Sequence, residues 1–228
     1  YAPPEGTPFF PNEPIVSIVG PLAEVRLADG ILISELNFAS LSLTKWNRLA
    51  RTVRPGGALE FARRRSQNHL KSSLYGMLAG CIATSNAELG RFFKVPVRGT
   101  MGHEWMQSFP SLAEAFDTWL THQPGFPVGL VDTVRCMEED FPEWLDAVHR
   151  HREAIKVANP SVWGWRNDSG DLAYQVIEQY LRFQRHPLAK DQWFRNRMRI
   201  FLTNELDEYS SASIIAQITT QARAAGFD

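Results

Sequence analysis

Six short apolar runs, at about residues 58 to 62, 80 to 84, 95 to 98, 128 to 131, 162 to 165 and 199 to 203, are each followed by a turn and then by a helix-patterned segment. This alternation constrains the fold more than any other feature, because strand, helix and strand in succession demand parallel pairing through crossover helices. An open doubly wound sheet and a (β/α) barrel both satisfy it. No GxGxxG follows the first run, which weighs against a dinucleotide-binding sheet. Polar residues cluster after nearly every run, where the catalytic rim of a barrel lies. The expected class is therefore α/β with a (β/α) barrel, of which six of the required eight strands are visible. Ahead of the rhythm, the Pro-rich residues 1 to 14 lead into Ile15-Val16-Ser17-Ile18-Val19-Gly20, which reads as a short strand. Pro21 then opens a helical stretch to about Ala50, closed before Pro55-Gly56-Gly57.

The chain has 228 residues and 44% hydrophobic content, enough for one substantial core. Lys and Arg total 24 against 25 Asp and Glu, so no global positive field draws the molecule to nucleic acid or anionic lipid. No apolar stretch approaches the roughly 20 residues of a membrane span. The first residues lack the basic and apolar regions of a signal peptide. Two distant cysteines, Cys81 and Cys136, fit neither a disulfide framework nor a structural zinc and suit a reducing, cytoplasmic setting. There is no initiating methionine, and the chain reads as a piece of a longer protein.

The polar strand ends carry the candidate chemistry. Gly99-Thr100-Met101-Gly102-His103-Glu104-Trp105 places a histidine in a glycine-punctuated turn after the third run. A neutral imidazole there can take a proton or attack phosphorus, or it can simply cap a helix. Phe61 with Arg63, Arg64 and Arg65 offers a stacking face beside guanidinium forks that grip carboxylate or phosphate, or else a solvated charge run. Thr84-Ser85-Asn86 reads as a helix cap, and Asp132-Thr133 as a cap or a rim acceptor. Arg166-Asn167-Asp168-Ser169-Gly170-Asp171 can hold an anion beside an acid, or form an Asx turn. Asn204-Glu205-Leu206-Asp207-Glu208 puts acids where a helix dipole favours them. His149-x-His151 points to opposite sides of a helix, reads as solvated, and supplies no metal-ligand spacing.

In this order, Glu60-Phe61-x-x-Arg64-Arg65-x-Gln67, Thr84-Ser85-Asn86, Gly99-Thr100-x-x-His103-x-Trp105, Asp132-Thr133, Arg166-x-Asp168-Ser169-Gly170-Asp171 and Asn204-x-Leu206-Asp207-Glu208 resemble the nicotinate phosphoribosyltransferase family over essentially the whole chain. The resemblance implies an irregular α/β barrel, incomplete here at its C-terminal end, preceded by part of a small β-rich domain. Residues 1–21 would belong to that domain, 22–57 to connecting helices and 58–228 to the barrel. It implies formation of nicotinate mononucleotide and pyrophosphate from nicotinate and phosphoribosyl pyrophosphate, with Mg²⁺, coupled to ATP as co-substrate through a phosphorylated His103, in NAD salvage. A homodimer is expected, with no nucleic-acid or membrane partner.

By motif, His103, Arg166 and Asp168 would be catalytic. Phe61, Arg64, Thr84, Ser85, Asp132, Asn204 and Asp207 would bind substrate, and no residue would be a dedicated metal ligand. Nicotinamide-using relatives carry an aspartate where this chain has Ser85, and a neutral residue suits an acidic substrate. After Asp132-Thr133 the chain departs from the family with Val134-Arg135-Cys136-Met137. The family's first segment and its glycine-rich phosphate loop have no counterpart within the 228 residues. A nicotinamide or quinolinate phosphoribosyltransferase, or a non-catalytic nucleotide-binding paralogue, are the alternatives.

Overall fold

Strands too short to bury themselves must lean on the helices that follow them, and the chain is built on that arrangement. The computed structural model describes residues 1–4 and 6–226. A long helix, α1 (Leu22–Thr52), precedes β1 (Leu59–Glu60), a 3-10 turn over Arg63–Arg65 and α2 (His69–Leu78). Then come β2 (Ala83–Thr84), α3 (Ala87–Phe93), α4 (His103–Gln107), α5 (Leu112–His122) and β3 (Val128–Leu130). A π-helical turn over Cys136–Asp140 runs into α6 (Phe141–Arg150), followed by α7 (Arg152–Ala158), β4 (Trp163–Asn167) and α8 (Leu172–Arg185). A 3-10 turn over Pro187–Lys190, α9 (Gln192–Arg197), β5 (Met198–Leu202) and α10 (Glu208–Ala224) complete the described chain.

All strand pairs are parallel, as the alternation requires. β1 pairs with β2 in one sheet, and β3, β4 and β5 lie side by side in a second. The run at 95 to 98 contributes only a bridge from Val97 to Thr84. Among the described residues the two sheets do not close into a barrel. The strand expected at Ile15 to Gly20 does not form. Tyr1 and Ser17 exchange two hydrogen bonds, of 2.7 and 2.8 Å, but no ladder extends from them, and extended backbone without a partner is not a strand.

Helix starts follow the side chains that satisfy their first amides. Asn68, Asn86, Ser111, Asp171, Asp191 and Asp207 each accept a backbone N–H from the first turn of the helix they open. The main core lies between the three-stranded sheet and the helices on one side of it. Trp144, Trp163, Trp165, Phe116, Phe141, Phe183 and Phe194 are wholly buried there. They pack edge to face, with Phe141 and Trp165 centroids 4.9 Å apart and Trp163 and Phe194 5.4 Å apart. The indole N–H of each of these three tryptophans has an acceptor: Gly164 O for Trp144 at 2.9 Å, Phe194 O for Trp163 at 2.6 Å and Gln179 Oε1 for Trp165 at 2.7 Å. A smaller cluster of Ala50, Ala58 and Cys81, roofed by Trp46, seats α1 on the two-stranded sheet.

His149 and His151 are not solvated as expected. His151 Nε2 lies 3.0 Å from Asp117 Oδ1, and the His149 ring meets His186 edge-on at 5.8 Å. α5 and the Pro187 turn pack beside α6 and supply these partners, which helical spacing alone does not reveal.

Gly164 sets the spacing of the main sheet. A Cβ built on it would stand 1.7 Å from the backbone oxygen of Arg199 on β5, so any side chain must separate the two strands. Gly164→Ala is expected to destabilise the fold by about 3 kcal/mol, the upper part of the range for overpacking, read as a lowered urea midpoint.

Candidate active site

Parallel pairing brings three strand ends to one level. Leu130 is in register with Arg166, and Arg166 with Phe201. The residues just beyond, Asp132 after β3, Asp168 after β4 and Thr203 after β5, therefore emerge together. Side chains tie them. Asp132 Oδ2 accepts the Asp168 N–H and the Ser169 hydroxyl, both at 2.7 Å. Thr203 donates its N–H to Asn167 O at 2.9 Å, and its hydroxyl reaches the Asp168 carboxylate.

His103 enters from outside the sheet, as the first residue of α4, and ends beside the same acids. Its Nδ1 is 3.2 Å from Thr133 Oγ1 and its Nε2 is 3.6 Å from Asp168 Oδ2. Arg166 lies beneath, with its side chain only 12% exposed. One guanidinium nitrogen donates to Met101 O at 3.2 Å, anchoring the loop that carries His103, and another is 4.0 Å from Asp168 Oδ1. Burial holds the Arg166 pKa below its ordinary value. Asp168 and Asp132 oppose that shift, while the nearby Arg64 adds to it. Guanidinium basicity keeps the group charged at neutral pH all the same.

Two polar atoms at this centre are buried without a partner, Asp132 Oδ1 and Arg166 Nε. Buried polar groups are nearly always satisfied, so an acceptor and a donor left open side by side with a histidine mark a place for a ligand. A basic donor, two carboxylates and an imidazole in one cluster can hold an anion and pass a proton or a phosphoryl group.

The remaining candidates divide. Arg64 is exposed on the 3-10 turn, within electrostatic reach of Arg166. Phe61 is half-buried just beyond β1, and Ser85 just beyond β2 donates its N–H to Glu60 O at 2.8 Å. Because Glu60 is in register with Thr84, Phe61 and Ser85 leave their strands at the same level. Thr84 is fully buried, with its hydroxyl donated to Glu60. Asn204 is exposed at φ 98°, in a loop joined to the arginine turn through the ion pair of Glu205 with Arg65.

Asp207 caps the last helix. Its carboxylate accepts the Tyr209 and Ser210 N–H groups at 3.0 and 2.7 Å and caps α10, which holds its pKa below the usual carboxylate range. The spacing of an acid before a helix was legible; which acids remain free was not.

Three supporting residues escape sequence reasoning. Glu60 is wholly buried and accepts the Ala62 N–H at 2.7 Å, fixing the turn that carries Phe61 and Arg64. A lone acid inside an apolar run was the available signal. Asp140 is also wholly buried. Its carboxylate accepts the N–H groups of Thr133, Val134 and Arg135, the last at 2.7 Å, and so cradles the turn that follows Asp132. Burial pushes the Asp140 pKa up, and these amides draw it back. Gln179, on α8, contacts the far side of β4. Beside them Cys136 is an unpaired thiol that burial pushes up to about 11, leaving it protonated at neutral pH.

Over 95% of its length the chain is 29% identical to the nicotinate phosphoribosyltransferase of Bacillus subtilis and 30% identical to a nicotinate phosphoribosyltransferase of Mycobacterium tuberculosis. The crystal structure of human nicotinic acid phosphoribosyltransferase superposes on 92% of the chain with a TM-score of 0.74 at 27% identity. The chain belongs to the nicotinate phosphoribosyltransferase family. It spans 42% and 44% of the two bacterial relatives and 51% of the human chain. A nicotinate-nucleotide pyrophosphorylase from Pyrococcus furiosus shares the fold at a TM-score of 0.58 and 16% identity. No family model matches the chain.

Replacing Asp140 with Ala leaves three amides of the 133 to 135 segment unpaired. The expected cost is about 2 kcal/mol in chemical denaturation, within the range for an unsatisfied buried group.

Proposed function

We propose that this chain supplies the nicotinate and phosphoribosyl pyrophosphate site of an ATP-coupled nicotinate phosphoribosyltransferase in NAD salvage. The observation that carries the reading is the convergence of His103, Arg166, Asp168 and Asp132 at the ends of β3 and β4, with two buried polar atoms left open. In this reading the two parallel sheets are arcs of an irregular barrel, and their strand ends are its rim.

The chemistry follows from the residue types. Nicotinate would lie on Phe61 with Ser85 at its edge, and Arg64 would take its carboxylate. The pyridine nitrogen forms a bond to the anomeric carbon as the bond to pyrophosphate breaks, and the electron pair leaves with pyrophosphate. Positive charge develops on the ribose and negative charge on the leaving group. A buried, preoriented Arg166 favours that separation more than an exposed cation would. Among the described residues no group of three or more His, Cys, Asp or Glu could hold a metal alone. Mg²⁺ commonly relies on one or two carboxylates plus substrate phosphates, and Asp132, with its open Oδ1, and Asp168 fit that donor set. When bound, the ion would neutralise pyrophosphate charge.

For ATP coupling, the imidazole needs one nitrogen with a free lone pair. Thr133 at Nδ1 can fix the tautomer that provides it. The γ-phosphoryl group would pass from ATP to His103 with ADP as leaving group, and water would later release phosphate. A phosphate on His103 would stand beside Asp168, the carboxylate that also neighbours Arg166, and so would alter how the site holds other anions.

Incubation of the intact protein with γ-labelled ATP is expected to give an acid-labile label that His103→Ala abolishes. In a product assay Arg166→Ala is expected to lower kcat/KM for nicotinate mononucleotide formation on the order of 10²- to 10³-fold. An unlabelled wild-type protein that forms no nucleotide from nicotinate would sink the reading. Ser85→Asp is expected to shift the kcat/KM ratio toward nicotinamide by at least about tenfold, since like charge against the carboxylate costs several kcal/mol.

A further inference from the structure

Strand β4 has two faces, and the site uses one of them. Arg166 and Asp168 point to the candidate site, while Trp163, Trp165 and Asn167 face the helices, in the alternation of a pleated strand. On that second face stands Gln179, wholly buried in α8. Its Oε1 accepts the Trp165 indole N–H at 2.7 Å and the Asn167 amide at 2.9 Å. Its Nε2 donates to Asn167 Oδ1 at 2.8 Å and to Cys136 Sγ at 3.3 Å. A primary amide offers two acceptor and two donor positions, and here all four are engaged. Such a fully satisfied buried network permits one arrangement and penalises others.

We propose that Gln179 is a positioning residue, clamping the back of β4 through Asn167 and Trp165 so that Asp168 on the front stays against Asp132 and within reach of His103. The linkage is short. Asn167 holds the amide of Gln179 with its side chain and accepts the Thr203 N–H and hydroxyl with its carbonyl, at 2.9 and 3.2 Å. Asp168 is the next residue, and its own N–H is the one Asp132 accepts. Cys136 joins the network from the turn that follows Asp132 and Thr133, so α8, β4 and the β3 loop share one set of hydrogen bonds. Were Gln179 apolar, the Trp165 N–H and the Asn167 amide would be buried without partners, and the strand end would gain other rotations at little further cost.

The positioning part is independent of what the site does; its catalytic consequence rests on the function proposed above. In Gln179→Met, which keeps the volume and removes every bond, hydrogen exchange at the Asp168 and Thr203 amides is expected to accelerate roughly 10- to 100-fold, equivalent to losing one to three kcal/mol of local protection. Val176→Ala, an apolar change on the same helix, serves as the control and is expected to leave those two amides unchanged. Should Gln179→Met not fold, Asn167→Ala removes the reciprocal amide bonds from the other side, and the same amides are read.

In the product assay Gln179→Met is expected to lower kcat/KM about 10- to 100-fold, and to add no further loss in an Asp168→Asn background. Unchanged exchange at Asp168 and Thr203, equal acceleration in Val176→Ala, or full turnover despite faster exchange would overturn the proposal. Accelerated exchange in a protein that forms no nucleotide, wild type included, would leave Gln179 as the clamp and remove the phosphoribosyl reading instead.

Discussion

The register of β3, β4 and β5 is the constraint on which the rest depends. Three short parallel strands have few main-chain bonds with which to fix their alignment, and one residue of slip would exchange the two faces of each. Here the alignment is enforced from several directions. Gly164 lets the Arg199 backbone approach where no side chain could stand, Trp144 hydrogen-bonds Gly164 O from above, and Asp132 and Thr203 bond the first residues past the end of β4. Because the Asp132 and Thr203 ties lie at the C-terminal strand ends, these two contacts also set the distances of the candidate site.

Core and site are the two faces of one strand. The aromatic residues behind β4 supply burial, the nondirectional part of stability. They hold the sheet against the helices but cannot by themselves determine the rotation of Asp168. Directional bonds do that, and they are concentrated where β4 ends. The cost is a line of buried polar groups through the middle of an apolar core, tolerable because nearly every member has a partner. Asp132 Oδ1 and Arg166 Nε, which have none, fall on the front face.

Much of this arrangement was legible in the residue pattern. The apolar runs and turns marked β1 to β5 closely, and the one that did not mature, at 95 to 98, survives as a bridge to Thr84. The helix-cap alternative at Thr84-Ser85-Asn86 holds for Asn86, while Asp132, equally a cap by its sequence, is bonded instead to the neighbouring strand end. Asp207, in a stretch of acids placed where a helix dipole favours them, caps α10. The Ile15 to Gly20 run has strand-like composition, yet pairs with no strand and stays extended. An acid beside a turn has several possible partners, and local order does not choose between them. Gln179 gave no signal at all, since a glutamine within an amphipathic helix looks solvent-facing until a strand is laid against it.

By itself the sequence determined the alternation of strand and helix, and hence parallel pairing, because periodicity and turn residues act over a few neighbours. It also pointed to the family, through several ordered motifs, and relatives of that family match over 95% of the chain. Tertiary structure alone decided that His103, Asp168 and Arg166 come together, how the acids beside them are bonded, and that Gln179 stands behind them. Those outcomes depend on the register between segments 12 to 65 residues apart. Register is settled by packing and strand-end hydrogen bonds between elements, and no local propensity encodes it.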